Sequence, residues 1–294
     1  MDGVFPFLKP PGITSHDAVG ICRRLLHERR IGHSGTLDPL AYGVLPLYLG
    51  RATRLIEYAE GQDKTYIAEC KLGFFTDTED STGQALPFSA VAPASQIEKE
   101  TKSVTVEQIE AVLPRFRGAI EQTPSRYSAI KVNGQRAYEW ARQGIVVTMP
   151  KRQVAISELS LVAFAYPFFT LKITCSSGTY VRALLRDICL ALGLAGHMTQ
   201  LVRTRVGAFT IDQAFTGEEV EVLQEKALLP ADTVVAFLPK LDLSDDSVQA
   251  LVRGQVRPIE QADGLYRTYG SHGFLGLAKV TNGQLKVEKN VFLP

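Results

Sequence analysis

The stretch VAISELSLVAFAYPFFTLKITC, residues 154–175, does most to restrict the fold of this chain. It is rich in β-branched and aromatic residues and is interrupted at Pro167, so it reads as a pair of strands. Shorter stretches of strand character surround it: VFPFL near the start, VLPLYLG ending at Gly50, KTYIAECKLGF, and LVRTRVGAFT from Leu201. Helical signals lie among them. Thr14 with Asp17 makes a capping box for a helix through about Arg30, and Thr105 with Gln108 makes a second. TYVRALLRDICLALG is amphipathic and stopped by Gly193, while Asn133-Gly134 marks a tight turn before a short helical run. Strands and helices mingle without strict alternation. That order predicts an α+β fold with a mixed, mostly antiparallel central sheet flanked by helices and loops.

The polar residues and LLPADTVV around 217–235 read as a connection, and from Leu241 short strands with glycine turns predict a small β-rich appendage. The division expected is therefore 1–235 and 236–294. No apolar run is long enough to span a bilayer, and residues 1–8, MDGVFPFL, lack the basic start and apolar core of a signal peptide. Cys22, Cys70, Cys175 and Cys189 show no metal-ligand spacing and read as buried free thiols in a reducing compartment. Nucleotide-binding and metal motifs are missing from the sequence.

A formal net charge of +1 conceals a segregation of sign. Acids dominate residues 57–110. Residues 115–152 reverse this, with Arg115, Arg117, Arg126, Lys131, Arg136, Arg142, Lys151 and Arg152 against Glu121 and Glu139. Phe116, Tyr127, Tyr138 and Trp140 lie between those bases, a composition suited to a phosphate backbone carrying unstacked bases, although a solvated basic face has the same appearance.

Chemistry centres first on GHSGTLDPLAYGVLPLYLG, residues 32–50, where one acid, Asp38, stands in a glycine-rich loop. Pro39 steers Asp38 away from helical geometry, and Gly32, Gly35 and Gly43 let another backbone or a ligand approach. Read by itself, Asp-Pro is also an ordinary turn initiator. In CSSGTYVRALLRDI, Arg182 sits at a helix start, where the dipole disfavours cations, so it calls for an acid or a phosphate. A glycosidase would pair two carboxylates, and the glycine loop carries Asp38 alone.

Taken together, these stretches resemble the bacterial TruB family of tRNA pseudouridine synthases along nearly the whole chain. GHSGTLDPLAYGVLPLYLGRATRL is similar to the family's catalytic motif, with Asp38 at the position of its aspartate. KPPGITSHDAV is similar to its N-terminal motif, KTYIAECKLGFFTDTEDSTG to the tyrosine motif, PSRYSAIKVNGQRAYEWARQG to the RNA-binding segment, and CSSGTYVRALLRDI to the arginine motif. The resemblance implies isomerisation of uridine 55 in the TΨC loop of tRNA, with the base flipped out of its stack. It implies Asp38, Tyr66 and Arg182 as catalytic: Asp38 as nucleophile or base, Tyr66 stacked on the uracil and near its C5 proton, and Arg182 as counter-charge. His33 would occupy the vacated stack, and Tyr180 and Leu201 would line the uridine pocket. Residues near 115–152 would form an RNA-binding insert, with Arg126, Lys131 and Arg136 on the backbone. Residues 236–294 would form a short PUA-like RNA-binding domain. The enzyme implied is a cytoplasmic monomer needing no metal, cofactor, membrane, obligatory protein partner or guide RNA. Tyr42 departs from the pattern, standing where family members carry a small hydroxyl residue.

Overall fold

A computed structural model describes residues 1–92, 96 and 104–292 of the 294-residue chain. The chain divides into two compact units. One comprises Met1–Pro39, Gly43–Gly61 and the chain from Val206; the other comprises Leu40–Tyr42 and Gln62–Arg205.

In the first unit, strand Gly3–Lys9 runs antiparallel to Tyr42–Leu49, in register from Gly3 opposite Leu49 to Lys9 opposite Gly43. Strand Ile31–His33 also pairs with Tyr42–Leu49, placing His33 opposite Leu47. Side chains alternate between the faces of these strands, so neighbours in sequence enter different cores. Phe5, Phe7, Leu45, Leu47 and Leu49 pack with Ala18, Val19 and Cys22 of helix Ser15–Leu25. Val4, Val44 and Tyr48 pack with Val234, Val235, Leu277 and Val291. The Thr14–Asp17 capping box is present, but the helix ends at Leu25, short of Arg30. Leu26 caps it, and His27 turns the backbone left-handed at φ +50°.

The C-terminal residues form a five-stranded mixed sheet in the order Lys240–Asp242, Gly264–Gly270, Gly273–Thr281, Gln284–Asn290, Arg257–Pro258, with the first pair parallel. Two helices depart from the sequence reading. Gly217–Leu223, with a Thr216–Glu219 capping box, lies where a plain connection was expected. Asp245–Val252, capped by Ser244, lies in the region from Leu241 whose sequence predicts short strands with glycine turns.

The second unit carries strands in the order Gly196–Val206, Lys64–Leu72, Phe168–Cys175, Arg152–Ala165, Gly118–Gln122, the last three junctions antiparallel. The long apolar stretch is thus a strand pair parted at Tyr166-Pro167, as its sequence predicts. Helix Val181–Leu192 buries Ala183, Leu184, Leu185 and Ile188 and ends at Gly193 with φ +75°. All four cysteines are free and buried. Among the described residues, no helix is long and apolar enough to cross a membrane.

Candidate functional site

Asp38 and His33 belong to the first unit. Tyr66, Arg126, Lys131, Arg136, Tyr180, Arg182 and Leu201 belong to the second.

Asp38 is half-buried in a loop whose main chain is fastened on both sides of it. On the N-terminal side, the Leu37 N–H donates to Ser15 Oγ at 2.8 Å and the hydroxyl donates to the Leu37 carbonyl at 3.1 Å. On the C-terminal side, the Pro39 carbonyl accepts from the Gly12 N–H at 2.8 Å and from Lys9 Nζ at 3.4 Å. Lys9 is fully buried at the end of its strand, and its ammonium also donates to the carbonyls of Pro10 and Ile13, each at 2.8 Å. Gly35 and Gly43 have φ of +74° and +119°, values costly for any side chain with a Cβ. Ser34 Oγ meets the buried Tyr48 hydroxyl at 2.9 Å. The loop therefore holds a carboxylate in a fixed backbone pose through fastenings made to main-chain groups.

Lys9, Gly12 and Ser15 all come from KPPGITS, a stretch that gives no outward sign of this role. Lys9 is the charged residue among the three. Replacing it by methionine keeps the stem and removes the donor, leaving buried carbonyls without that partner; the expected cost is about 2–4 kcal/mol, with loss of the loop's pose. Urea unfolding of Lys9→Met checks this, and a midpoint unchanged from wild type would contradict it.

In the second unit, Tyr66 is buried on strand Lys64–Leu72, opposite Ile173, and Leu201 is buried on strand Gly196–Val206. Tyr180 is the N-cap residue of helix Val181–Leu192. A single side-chain amide fastens it: the Tyr180 N–H donates to Gln122 Oε1 at 2.8 Å, and Gln122 Nε2 donates to the Tyr180 carbonyl at 3.0 Å. The Arg152 guanidinium lies 5.9 Å from the Tyr180 ring centroid and donates to the Gly178 carbonyl at 3.2 Å.

Arg182 is buried in the first turn of that helix and has the acid its position calls for. Its guanidinium lies 3.6 Å from Asp80 Oδ2, donates to the Thr78 carbonyl at 2.9 Å, and donates to the Tyr127 carbonyl at 3.2 Å. Asp80 is itself buried, and its other oxygen accepts from Thr78 Oγ1 at 2.8 Å and from the Thr82 N–H and hydroxyl at 3.0 and 2.5 Å. The segment TDTEDSTG, which ends the stretch that carries Tyr66, thus supplies a buried ion partner.

The basic stretch divides into two kinds of residue. Arg117 donates twice to the Leu159 carbonyl, Lys151 pairs with Glu121, and Arg152 serves Gly178, so these cations bind within the protein. Those three are themselves exposed, and so are Arg126, Lys131 and Arg136. Lys131 and Arg136 stand opposite each other on a small hairpin whose turn, Asn133-Gly134, has φ of +52° and +86° as the sequence predicts.

Two family models match the chain: "TruB family pseudouridylate synthase (N terminal domain)" over residues 23–181, and "tRNA pseudouridylate synthase B C-terminal domain" over residues 182–263. The tRNA pseudouridine synthase B of Caldanaerobacter subterraneus subsp. tengcongensis is 40% identical over 297 residues, covering 99% of both chains. The protein of that name from Bacillus velezensis is 42% identical over 267 residues, covering 87% of this chain and 83% of its own. Among solved structures, a chain of an H/ACA RNP bound to a substrate RNA containing 2'-deoxyuridine matches with a TM-score of 0.72 at 23% identity, covering 99% of this chain and 85% of that one. At that identity the likeness is one of fold, and it agrees with the α+β architecture and the β-rich C-terminal domain.

Proposed function

The chain belongs to the TruB family of pseudouridylate synthases, and from that premise we propose that it converts uridine 55 in the TΨC loop of tRNA to pseudouridine. The reaction is an isomerisation: the C1′–N1 bond breaks, the uracil rotates while bound, C1′–C5 forms, C5 loses its proton and N1 gains one. The uridine must first leave its stack, at a cost of a few kcal/mol that contacts to the flipped base offset.

Asp38 acts on the sugar or base as nucleophile, or takes a ribose proton as base. The observation that carries this reading is its loop, in which Ser15, Gly12 and Lys9 hold the backbone on either side of the Asp38 carboxylate. A group fixed before substrate arrives spends no binding energy on its own ordering. Tyr66 offers a ring for the uracil and a hydroxyl near C5. Arg182 is the counter-charge, Tyr180 and Leu201 line the pocket, and His33 fills the vacated stack. Arg126, Lys131 and Arg136, all exposed, grip the RNA backbone, and residues 236–294 add a PUA-like contact. The enzyme works as a monomer in the cytoplasm, without guide RNA, metal or cofactor; its buried free thiols suit a reducing compartment.

The test is incubation of the purified protein with unmodified tRNA, followed by carbodiimide-based primer extension. A new stop reporting pseudouridine at position 55 is expected. Released uracil with no stop would make the protein a glycosidase instead.

A further inference from the structure

We propose that the Arg186–Glu79 ion pair is a positioning clasp that sets the pose of Arg182, and that neither of its residues touches substrate. The inference rests on the catalytic role given to Arg182 above. Arg182 and Arg186 are four residues apart on helix Val181–Leu192, so they rise from one face. They grip the same two segments. Arg182 holds Thr78 and Asp80 on one side and Tyr127 on the other. Arg186 Nη1 binds Glu79 Oε1, and its Nη2 donates to the Thr123 carbonyl at 2.9 Å. Its Nε donates to Asp187 Oδ1 at 2.9 Å, which fixes the plane of the guanidinium.

Glu79 stands between the two residues that Arg182 binds, and its backbone is left-handed at φ +64°, where residues other than glycine are rarely found. The Glu79 carbonyl accepts from the Met198 N–H at 3.1 Å, which ties the turn to the neighbouring strand. Its side chain is mostly buried, and among the described residues Oε2 has no hydrogen-bond partner. Burial pushes the Glu79 carboxyl above its usual range, with the Arg186 charge opposing. This is a poor arrangement for stability alone, because the desolvation of a buried pair offsets most of its attraction. What the pair does supply is geometry: it fixes Thr78 and Asp80 where the Arg182 guanidinium needs them.

Glu79→Gly separates this from a backbone role, since glycine takes the left-handed conformation without strain but carries no carboxylate. Glu79→Gln keeps the shape and removes the charge. If the clasp positions Arg182, both variants lower the single-turnover rate at saturating enzyme by about 10- to 100-fold, while KM and tRNA affinity stay within about threefold. Wild-type rates in Glu79→Gly, or a loss confined to thermal stability, would overturn the proposal. Should the Glu79 variants fail to melt cooperatively, Arg186→Lys keeps the charge and loses the fork. The same loss of rate is expected there, and a full rate would overturn the clasp. A wild-type protein that makes no pseudouridine would instead sink the function itself, so the two failures are distinguishable.

Discussion

Asp38→Asn is expected to abolish pseudouridine formation, by about a thousandfold or more, while tRNA affinity stays within about threefold of wild type. Asparagine is nearly isosteric but is neither a base nor a nucleophile, so either route open to Asp38 is lost. The change leaves in place the bonds that hold the main chain of Leu37 and Pro39 to Ser15, Gly12 and Lys9, so the loop should keep its backbone pose. Affinity should survive too, because phosphate contacts dominate binding to nucleic acid and the exposed cations Arg126, Lys131 and Arg136 are untouched. Neutralising those three is the converse experiment: it should weaken binding and flatten its salt dependence, the log–log slope falling by roughly 0.7–0.9 for every phosphate no longer neutralised. Turnover and filter binding on one preparation check both halves. An Asp38→Asn enzyme within about tenfold of wild-type turnover would remove Asp38 from the reaction.

Much of this was legible in the chain, and the reason is local. Capping boxes at Thr14–Asp17 and Thr105–Gln108, the left-handed stop at Gly193, the Asn133-Gly134 turn and the break at Pro167 each depend on a few adjacent residues, and each appears in the structure. The helix end at Leu25 was not legible, because His27 takes a left-handed turn that a glycine would have announced. Helices Gly217–Leu223 and Asp245–Val252 make about two turns each, too few for an apolar period to stand out, although Thr216 with Glu219 signalled the first. The candidate site divides in the same way. Asp38, with its flanking glycines and proline, is conspicuous in sequence. Lys9 is not, since its burial depends on carbonyls at Ile13 and Pro39 that only the folded chain brings to it. Arg182 at a helix start announced a missing acid. That Asp80, about a hundred residues earlier in a polar turn, is one acid beside it could be read only from the fold.

That acid makes Arg182→Ala doubly costly. Both side chains are buried, and truncation strands the Asp80 carboxylate without its guanidinium while the Thr78 and Tyr127 carbonyls each lose a donor. Breaking a buried pair in this way typically costs about 3–5 kcal/mol. The hydroxyl and amide donors that remain on Asp80 Oδ1 should hold the loss towards the lower end of that range. Activity should fall as well, because Arg182 is the proposed counter-charge of the catalytic carboxylate. Arg182→Lys keeps the charge, but one ammonium cannot reproduce the planar fork that serves Asp80, Thr78 and Tyr127 together, so a smaller loss of stability is expected, about 1–2 kcal/mol. The two effects can be pulled apart. Adding Asp80→Asn to Arg182→Ala removes the stranded charge, and should recover part of the lost stability and none of the lost activity. Urea unfolding and single-turnover rates on the three variants give both readouts. Recovery of activity along with stability would mean that Arg182 serves only to neutralise Asp80, and an Arg182→Ala protein with wild-type stability and rate would show that neither role holds.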